Sequence, residues 1–109
     1  MKKTMYILCA ATVAVTLGSG AYAADAKSGE ALAKSSGCFA CHSVDKKLIG
    51  PGYKEIADKY RGNKTAEADL AKKVKEGSKG VWGDIQMPAN AHVKDDDIRA
   101  IVQWILSIK

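Results

Sequence analysis

The sequence predicts an all-α fold of about four short helices joined by long loops, and three observations lead to this prediction. Every strong apolar pattern recurs at spacings of three and four residues, which is the period of an amphipathic helix. No segment shows the alternation of apolar and polar residues that is typical of a half-buried strand. The chain of 109 residues fits one domain and contains only one Phe, two Trp and four Tyr. Because so small a domain has few aromatic side chains, we expect another group to complete its core.

The first 23 residues are predicted to be a cleaved secretory signal rather than part of the domain. Lys2 and Lys3 form a positive n-region, and an apolar run follows at residues 5–17 before a Gly-Ser-Gly break. Ala21 and Ala23 are small residues at the two positions that a signal peptidase inspects. The apolar run is too short for a transmembrane helix, which argues against the alternative of an uncleaved membrane anchor.

The mature domain is therefore expected to span residues 24–109. Cys9 leaves with the signal, so Cys38, Cys41 and Met87 are the sulfur-containing residues that remain. Lys plus Arg falls from 17 to 15 against 12 acidic residues, so the formal charge falls from +5 to +3. This mildly basic balance lacks the clustering that nucleic-acid binding needs. No other apolar run approaches membrane-spanning length, so we expect an exported monomer without a membrane anchor.

The first two helices are predicted at residues 25–36 and from residue 53 onward. The first segment is Ala-rich and ends at Gly37, a residue type that commonly follows a helix C-terminus. In the second segment, apolar residues recur with helical spacing from Tyr53 to Tyr60, and Gly62 ends the pattern.

The third and fourth helices have charged ends that suit the helix dipole. Thr65 is predicted to cap the third helix, which has acidic residues in its first turn, lysines near its end and Gly77 after it. The fourth helix begins at the acidic run 95–97. Its apolar face continues to Ile108 at spacings of three and four residues, with Trp104 on its flank.

Two long stretches without regular structure, residues 38–52 and 77–94, hold every candidate ligand; loops of this length in a small domain are usually functional. The first contains Cys38, Cys41 and His42 in the C-x-x-C-H pattern of c-type haem attachment. Two thiols three positions apart can reach both vinyl groups of one haem, and the adjacent imidazole can then bind its iron. The motif predicts one covalently bound haem c.

Three other interpretations of the cysteine pair remain open. A thioredoxin-type redox pair would need a βαβ unit, and no strand is predicted. A zinc site would need a fourth ligand, for which His92 or a carboxylate is available. A plain disulfide, which export would permit, would leave His42 and the two long loops unexplained.

The second axial ligand of the iron decides between electron transfer and chemistry on a bound small molecule. Met87 lies in a polar loop, and Pro88 restricts the backbone beside it. As the one methionine left after signal cleavage, in a polar loop bounded by Pro88, Met87 is the predicted ligand. Its thioether would favour ferrous iron and raise the reduction potential. His92 is the rival; it would give a bis-His centre of lower potential, although its polar neighbours suit an exposed loop residue.

These motifs together resemble one family, the small bacterial class I cytochromes c of the cytochrome c-551/c-552 group, also called cytochrome c8. The resemblance covers essentially the whole mature chain, and the interval of 45 residues from His42 to Met87 is also similar. It implies a class I cytochrome c fold wrapped around one haem. The segments that carry it are residues 37–42, 50–53, 77–83, 87–90 and 104–109.

The resemblance also implies supporting roles around the haem. The Pro51 carbonyl would accept a hydrogen bond from His42 and strengthen it as a ligand. Trp82 would donate its indole N–H to a haem propionate, and Lys73 would lie near a propionate. Asn90 would form a hydrogen bond near the sulfur of the Met ligand.

The expected function is one-electron transfer in the periplasm, without enzymatic activity. Relatives exchange electrons with reductases, oxidases or dehydrogenases, and the resemblance implies partners of this kind. If Met87 were not bound to iron, a haem enzyme or gas sensor with an open distal site would be the alternative. A haem-free binding module with a disulfide is a further alternative, which bound haem in purified protein would exclude.

Overall fold

The structure is a computed structural model that describes residues 26–109. The predicted signal, residues 1–23, lies outside the described residues, so its cleavage and the domain boundary at residue 24 stay predictions.

Within residues 26–109 the chain forms four α-helices and one short 3-10 turn. The helices are α1 (Ala26–Ser35), α2 (Tyr53–Tyr60), α3 (Ala66–Glu76) and α4 (Asp95–Leu106), and the turn is Cys38–Ala40. In this range β pairing is limited to a single antiparallel bridge, which lies in the loop before α4. The predicted all-α class is confirmed. None of these helices has the length and apolar character needed to cross a membrane.

Glycines end the first two helices, as predicted. Gly37 follows α1 with a φ of +83°, a left-handed conformation that favours glycine. The Ser36 N–H donates to the Leu32 carbonyl at 2.9 Å and completes the last turn of α1. Gly62 follows α2 with a φ of +81°. The predicted start of α1 at Asp25 lies outside the described residues.

Thr65 precedes α3 but does not cap it in the predicted way. Its hydroxyl lies 2.9 Å from the Asp69 carboxylate and 2.9 Å from the Asn63 side-chain oxygen, and it accepts no hydrogen bond from a backbone N–H of the first turn. The Asn63 side-chain oxygen accepts instead from the Thr65 N–H at 2.9 Å. The capping prediction was wrong because the Thr65 backbone has φ −102° and ψ 7° and not the extended conformation in which a capping oxygen typically meets the N–H groups of the first turn.

Helix α4 lies at the centre of the core and packs against α1, α2 and α3. Five of its side chains are buried: Ile98, Ile101, Val102, Trp104 and Ile105. Trp104, predicted on the flank of this face, is buried as well, with only 7 % of the residue exposed. Three helices surround α4, so its flank is covered as well. Ile108 lies beyond the end of the helix and is half-buried.

An aromatic cluster joins α2, α4 and the 3-10 turn. The Tyr53 ring meets Phe39 edge-on at a centroid distance of 5.5 Å and Trp104 edge-on at 5.1 Å. Phe39 and Trp104 lie 6.1 Å apart. Edge-to-face pairs of this kind add to the free energy gained from burial. Three of the five Phe, Tyr and Trp residues within 26–109 are thus gathered next to the C-x-x-C-H segment.

The contact between α1 and α4 requires a glycine in α1. Gly29 is buried, and a Cβ atom at this position would collide with the Cβ of Trp104 and lie 2.5 Å from the Ala100 carbonyl oxygen. One obstacle is a backbone atom and the other is the first atom of a side chain, so neither can move without moving the helix. The absence of a side chain at Gly29 therefore sets how closely the two helices approach.

Candidate functional site

One cavity of about 400 Å³ brings together the four side chains predicted to hold haem: Cys38, Cys41, His42 and Met87. Its remaining wall includes apolar side chains from three helices. These are Ile56 of α2, Leu70 and Val74 of α3, and Val102 and Ile105 of α4. A largely apolar cleft with a few sulfur and nitrogen ligands is the expected form of a cofactor site.

The 3-10 turn sets the local geometry of the C-x-x-C-H segment. The Cys38 carbonyl accepts from the N–H of Cys41 at 3.2 Å and from that of His42 at 3.0 Å. The chain therefore turns tightly enough for both thiols and the imidazole to line one cavity. Burial raises the pKa of the Cys38 thiol, so the unattached thiol is neutral at physiological pH.

His42 is buried, and one of its nitrogens is occupied by the backbone. Its Nδ1 lies 2.7 Å from the Pro51 carbonyl oxygen, and Nδ1–H donates to that carbonyl. A histidine held in this tautomer has its free lone pair on Nε2, the atom available to a metal. The Gly50 N–H donates to the Cys41 carbonyl at 2.8 Å and keeps the loop against the ring.

Gly50 is predicted to be essential for the orientation of the His42 ring. A Cβ atom at Gly50 would lie 2.6 Å from the imidazole Cε1 and 3.0 Å from Nδ1. We expect Gly50→Ala to rotate or displace the ring, changing the electron paramagnetic resonance g values of the ferric protein. The free energy of unfolding should fall by about 1–3 kcal/mol, the usual cost of overpacking.

Gly52→Ala is the matched control for this prediction, because Gly52 lies on the other side of Pro51. The three atoms nearest to a Cβ atom there are all backbone atoms of Lys46, at 3.1–3.2 Å, whereas those nearest to a Cβ atom at Gly50 are all in the His42 ring. Gly52→Ala should keep the wild-type g values. Identical g values and denaturation midpoints in the two variants would show that no clash with His42 occurs.

Met87 reaches the cavity from a loop that closes on itself. Ser78 and Met87 form the antiparallel bridge, with N–H to carbonyl distances of 3.1 Å and 2.9 Å. Gly77 precedes the bridge with a φ of +82°, and a Cβ atom there would lie 2.7 Å from the Met87 carbonyl oxygen. The bridge therefore fixes the position of the Met87 backbone in the loop. The half-buried side chain of Met87 lines the cavity.

Asn90 anchors the segment that follows Met87. Its backbone N–H donates to the Val74 carbonyl at 3.0 Å, and its side-chain amide donates to the Val74 and Pro88 carbonyls at 3.2 Å and 3.3 Å. This tie to the end of α3 was not evident in the sequence, because it connects residues 16 positions apart. The role of Asn90 beside the Met87 sulfur stays a prediction.

Lys75 provides a second anchor that was not predicted. Its Nζ atom lies 2.8 Å from the Val93 carbonyl oxygen and 3.0 Å from the Asp95 carboxylate. It thereby joins the last turn of α3 to the first turn of α4. The sequence showed only a lysine that suited the C-terminal end of a helix dipole.

Trp82 and Lys73, both assigned to the propionates by resemblance, line the cavity. Trp82 is 37 % exposed, and the Lys59 Nζ atom lies 5.3 Å from the centre of its ring. This cation–π contact ties the loop to α2 and was not evident in the sequence. His92 is exposed and is not among the residues that line the cavity, so its position favours neither a second iron ligand nor a zinc site with the cysteines.

The family model for cytochrome c matches residues 26–109, the whole of the described chain. The chain belongs to the cytochrome c family. This cytochrome is 50 % identical over 93 residues to cytochrome c-551 of Pseudomonas aeruginosa, covering 85 % of this chain and 86 % of that protein. It is 50 % identical over 78 residues to cytochrome c-552 of Nitrosomonas europaea, covering 72 % of this chain and 76 % of that protein.

A solved structure shows the same fold. The crystal structure of wild-type Nitrosomonas europaea cytochrome c552 matches with a TM-score of 0.72 and 49 % sequence identity, covering 73 % of this chain and 99 % of that one. The predicted family and the class I cytochrome c fold are both confirmed. The protein is a haem-containing electron carrier that exchanges electrons with redox partners, and it is not an enzyme.

The residues of the cavity fit a haem. Its wall is mostly apolar, and imidazole nitrogen and thioether sulfur are common axial ligands of haem iron. The Nδ1 side of His42 is already occupied, which leaves Nε2 for the metal. Gly50 leaves room for the imidazole where any side chain would strike it.

Proposed function

We propose that this cytochrome is a periplasmic one-electron carrier whose haem c is attached through Cys38 and Cys41 and whose iron is bound by His42 and Met87. The observation that carries the proposal is that a single cavity gathers these four side chains. Three of them belong to one segment of five residues, and the fourth comes from a loop 45 residues later in the chain. When bound, the haem supplies an iron that takes up and releases one electron.

The two protein ligands have different roles in this proposal. His42 is held in one tautomer by Pro51, which makes Nε2 a better electron donor to the metal. Met87 supplies a soft sulfur that favours the ferrous state and raises the reduction potential. If His42 and Met87 both bind the iron, water and small ligands would be excluded from it, and little would rearrange when the oxidation state changes.

The supporting residues are proposed to hold the propionates and the Met87 loop. Trp82 would donate its indole N–H to a propionate, and Lys73 would place a positive charge near one; both side chains line the cavity. A lysine acts there as a point charge and not as the bidentate donor that arginine would be. Asn90 supports Met87 through its bonds to the end of α3 and through a contact near the sulfur.

Partners are proposed to be reductases, oxidases or dehydrogenases of the respiratory chain, in the periplasm or bound to its membrane. The signal at residues 1–23 would direct export, and the mature chain would act as a monomer without a membrane anchor or nucleic-acid partner. Lys47 and Lys79 line the cavity, and Ile49 and Ile85, which are 54 % and 67 % exposed, lie among its lining residues. An apolar surface with positive charges suits docking to acidic partners.

Absorption spectra in both oxidation states test the ligand assignment. We expect a sharp low-spin ferrous spectrum and the weak near-infrared sulfur-to-iron band of the ferric protein. In Met87→Ala the band should be lost and carbon monoxide should bind the ferrous form. The reduction potential should fall by on the order of 0.1 V or more, within the roughly 0.8 V range that axial ligands span.

His92→Ala is the control, since His92 is exposed and does not line the cavity. It should keep the near-infrared band and the wild-type potential. A wild-type spectrum that is high-spin and changes on addition of carbon monoxide would contradict the proposal. That result would indicate a haem enzyme or gas sensor with an open distal site.

A further inference from the structure

The side chain of Tyr53 lies against the ring of His42. Its ring stacks on the imidazole with a centroid distance of 5.2 Å and an angle of 21° between the planes. Phe39 and Trp104 meet the Tyr53 ring edge-on from other directions, at 5.5 Å and 5.1 Å. The ring therefore cannot turn without disturbing its neighbours, and it limits how far the imidazole can rotate.

The backbone also ties Tyr53 to the ligand segment. Its N–H donates to the Ser43 carbonyl at 2.8 Å, and the Lys54 N–H donates to the Val44 carbonyl at 2.9 Å. Residues 43 and 44 directly follow His42. The start of α2 is thus held in register with the proposed iron ligand, so the stacking geometry is built into the fold.

The phenol oxygen of Tyr53 is a buried polar atom without a hydrogen-bond partner among the described residues. Burial and, secondarily, the nearby Cys38 thiol raise the pKa of this phenol, but the two groups form no hydrogen bond of normal geometry. A buried hydroxyl without a partner costs free energy, and phenylalanine would fill the same space without that cost. The described part of the unattached chain therefore gives this hydroxyl no partner that would offset that cost.

The chemistry of Cys38 offers that partner. As a free thiol, its sulfur carries a proton and competes with the phenol as a donor. As a thioether, the sulfur has no proton and can only accept, as a weak acceptor. The phenol hydrogen would then have a defined direction in which to donate.

We propose that Tyr53 is a positioning residue for the haem centre: its ring fixes the rotation of the His42 imidazole, and its hydroxyl donates to the Cys38 sulfur in the attached protein. This inference rests on the proposed attachment at Cys38 and ligation by His42. A fixed imidazole plane sets the magnetic anisotropy of the ferric iron. A hydrogen bond to the thioether withdraws electron density from the haem and favours the reduced form.

Two variants separate the ring from the hydroxyl. Tyr53→Phe keeps the stacked ring and removes only the hydroxyl; its packing is close to wild type, so it should fold. We expect its g values and haem methyl chemical shifts to stay as in wild type. Its equilibrium with a reference redox couple should shift about two- to threefold toward the oxidised form, as the loss of one weak hydrogen bond predicts.

Tyr53→Leu removes the ring as well. We expect both the redox shift and a change in the g values and haem methyl chemical shifts, because the imidazole is free to rotate. Tyr60→Phe is the matched control, since Tyr60 is a half-buried tyrosine two turns further along α2, away from the stacked pair of Tyr53 and His42. It should change neither measurement.

A wild-type equilibrium constant in Tyr53→Phe would overturn the proposal, because the hydroxyl would then have no effect on the haem. Wild-type g values in Tyr53→Leu would also overturn it, because the ring would then not hold the imidazole. Both comparisons use variants that keep the near-infrared sulfur-to-iron band. Absence of that band from the wild-type protein is a separate result, which would contradict the proposed function itself.

Discussion

Replacing both Cys38 and Cys41 by serine is expected to yield a colourless and largely unfolded chain. The cavity lined by these residues measures about 400 Å³. At roughly 24 cal/mol per Å³, a closed cavity of this size would cost about 10 kcal/mol. The free energy of unfolding of typical domains is about 5–15 kcal/mol. A cavity that is open to water costs less than a closed one, but even part of that cost would remove much of this stability. Haem staining of a denaturing gel measures the loss of attached haem, and far-ultraviolet circular dichroism measures the loss of helix.

Cys9→Ser is the control for this pair, because Cys9 is predicted to leave with the signal. The purified Cys9→Ser protein should have wild-type haem content and helicity. Haem that stays bound to the double variant after denaturation would contradict covalent attachment at Cys38 and Cys41. A double variant with wild-type helicity would show instead that the apolar core is sufficient for folding.

Gly29→Val is expected to lower the free energy of unfolding by about 3 kcal/mol or more, at the upper end of overpacking costs. The new side chain would collide with the Cβ of Trp104, and its own Cβ would lie 2.5 Å from the Ala100 carbonyl oxygen. Neither obstacle is the flexible end of a side chain, so α1 and α4 must separate. Urea denaturation followed by circular dichroism gives the change in midpoint and slope.

Ser28→Val is the matched control, since Ser28 is the exposed neighbour of Gly29 in α1. Serine and valine have similar helix propensities, so its stability should stay within about 0.5 kcal/mol of wild type. Equal midpoints for Gly29→Val and Ser28→Val would show that the two helices do not need to approach so closely.

The local features of this protein were predictable from the sequence because their causes are local. The C-x-x-C-H ligands lie within five consecutive residues, and one 3-10 turn brings them together. The ends of α1 and α2 follow from Gly37 and Gly62, which adopt a left-handed backbone. The period of the apolar residues in α4 was sufficient to predict a helix with one buried face.

Met87 needed more than its local sequence. A lone methionine in a loop is often a core residue, and the sequence left His92 as a rival. Resemblance to the family favoured Met87. Its presence on the wall of the same cavity as His42 depends on the Ser78 bridge and on Asn90, which bonds to a carbonyl 16 positions earlier.

By itself, the sequence determined the helical class and the C-x-x-C-H residues expected to hold the haem, since these depend on short-range period and spacing. The family resemblance, which spans the whole mature chain, added Met87. Only the tertiary structure decided which neighbours surround those residues. Trp104 is buried because three helices cover α4, and Tyr53 stacks on His42 because α2 packs beside the haem segment. Such contacts join residues far apart in the chain, so they depend on how the helices pack and leave no periodic signal in the sequence.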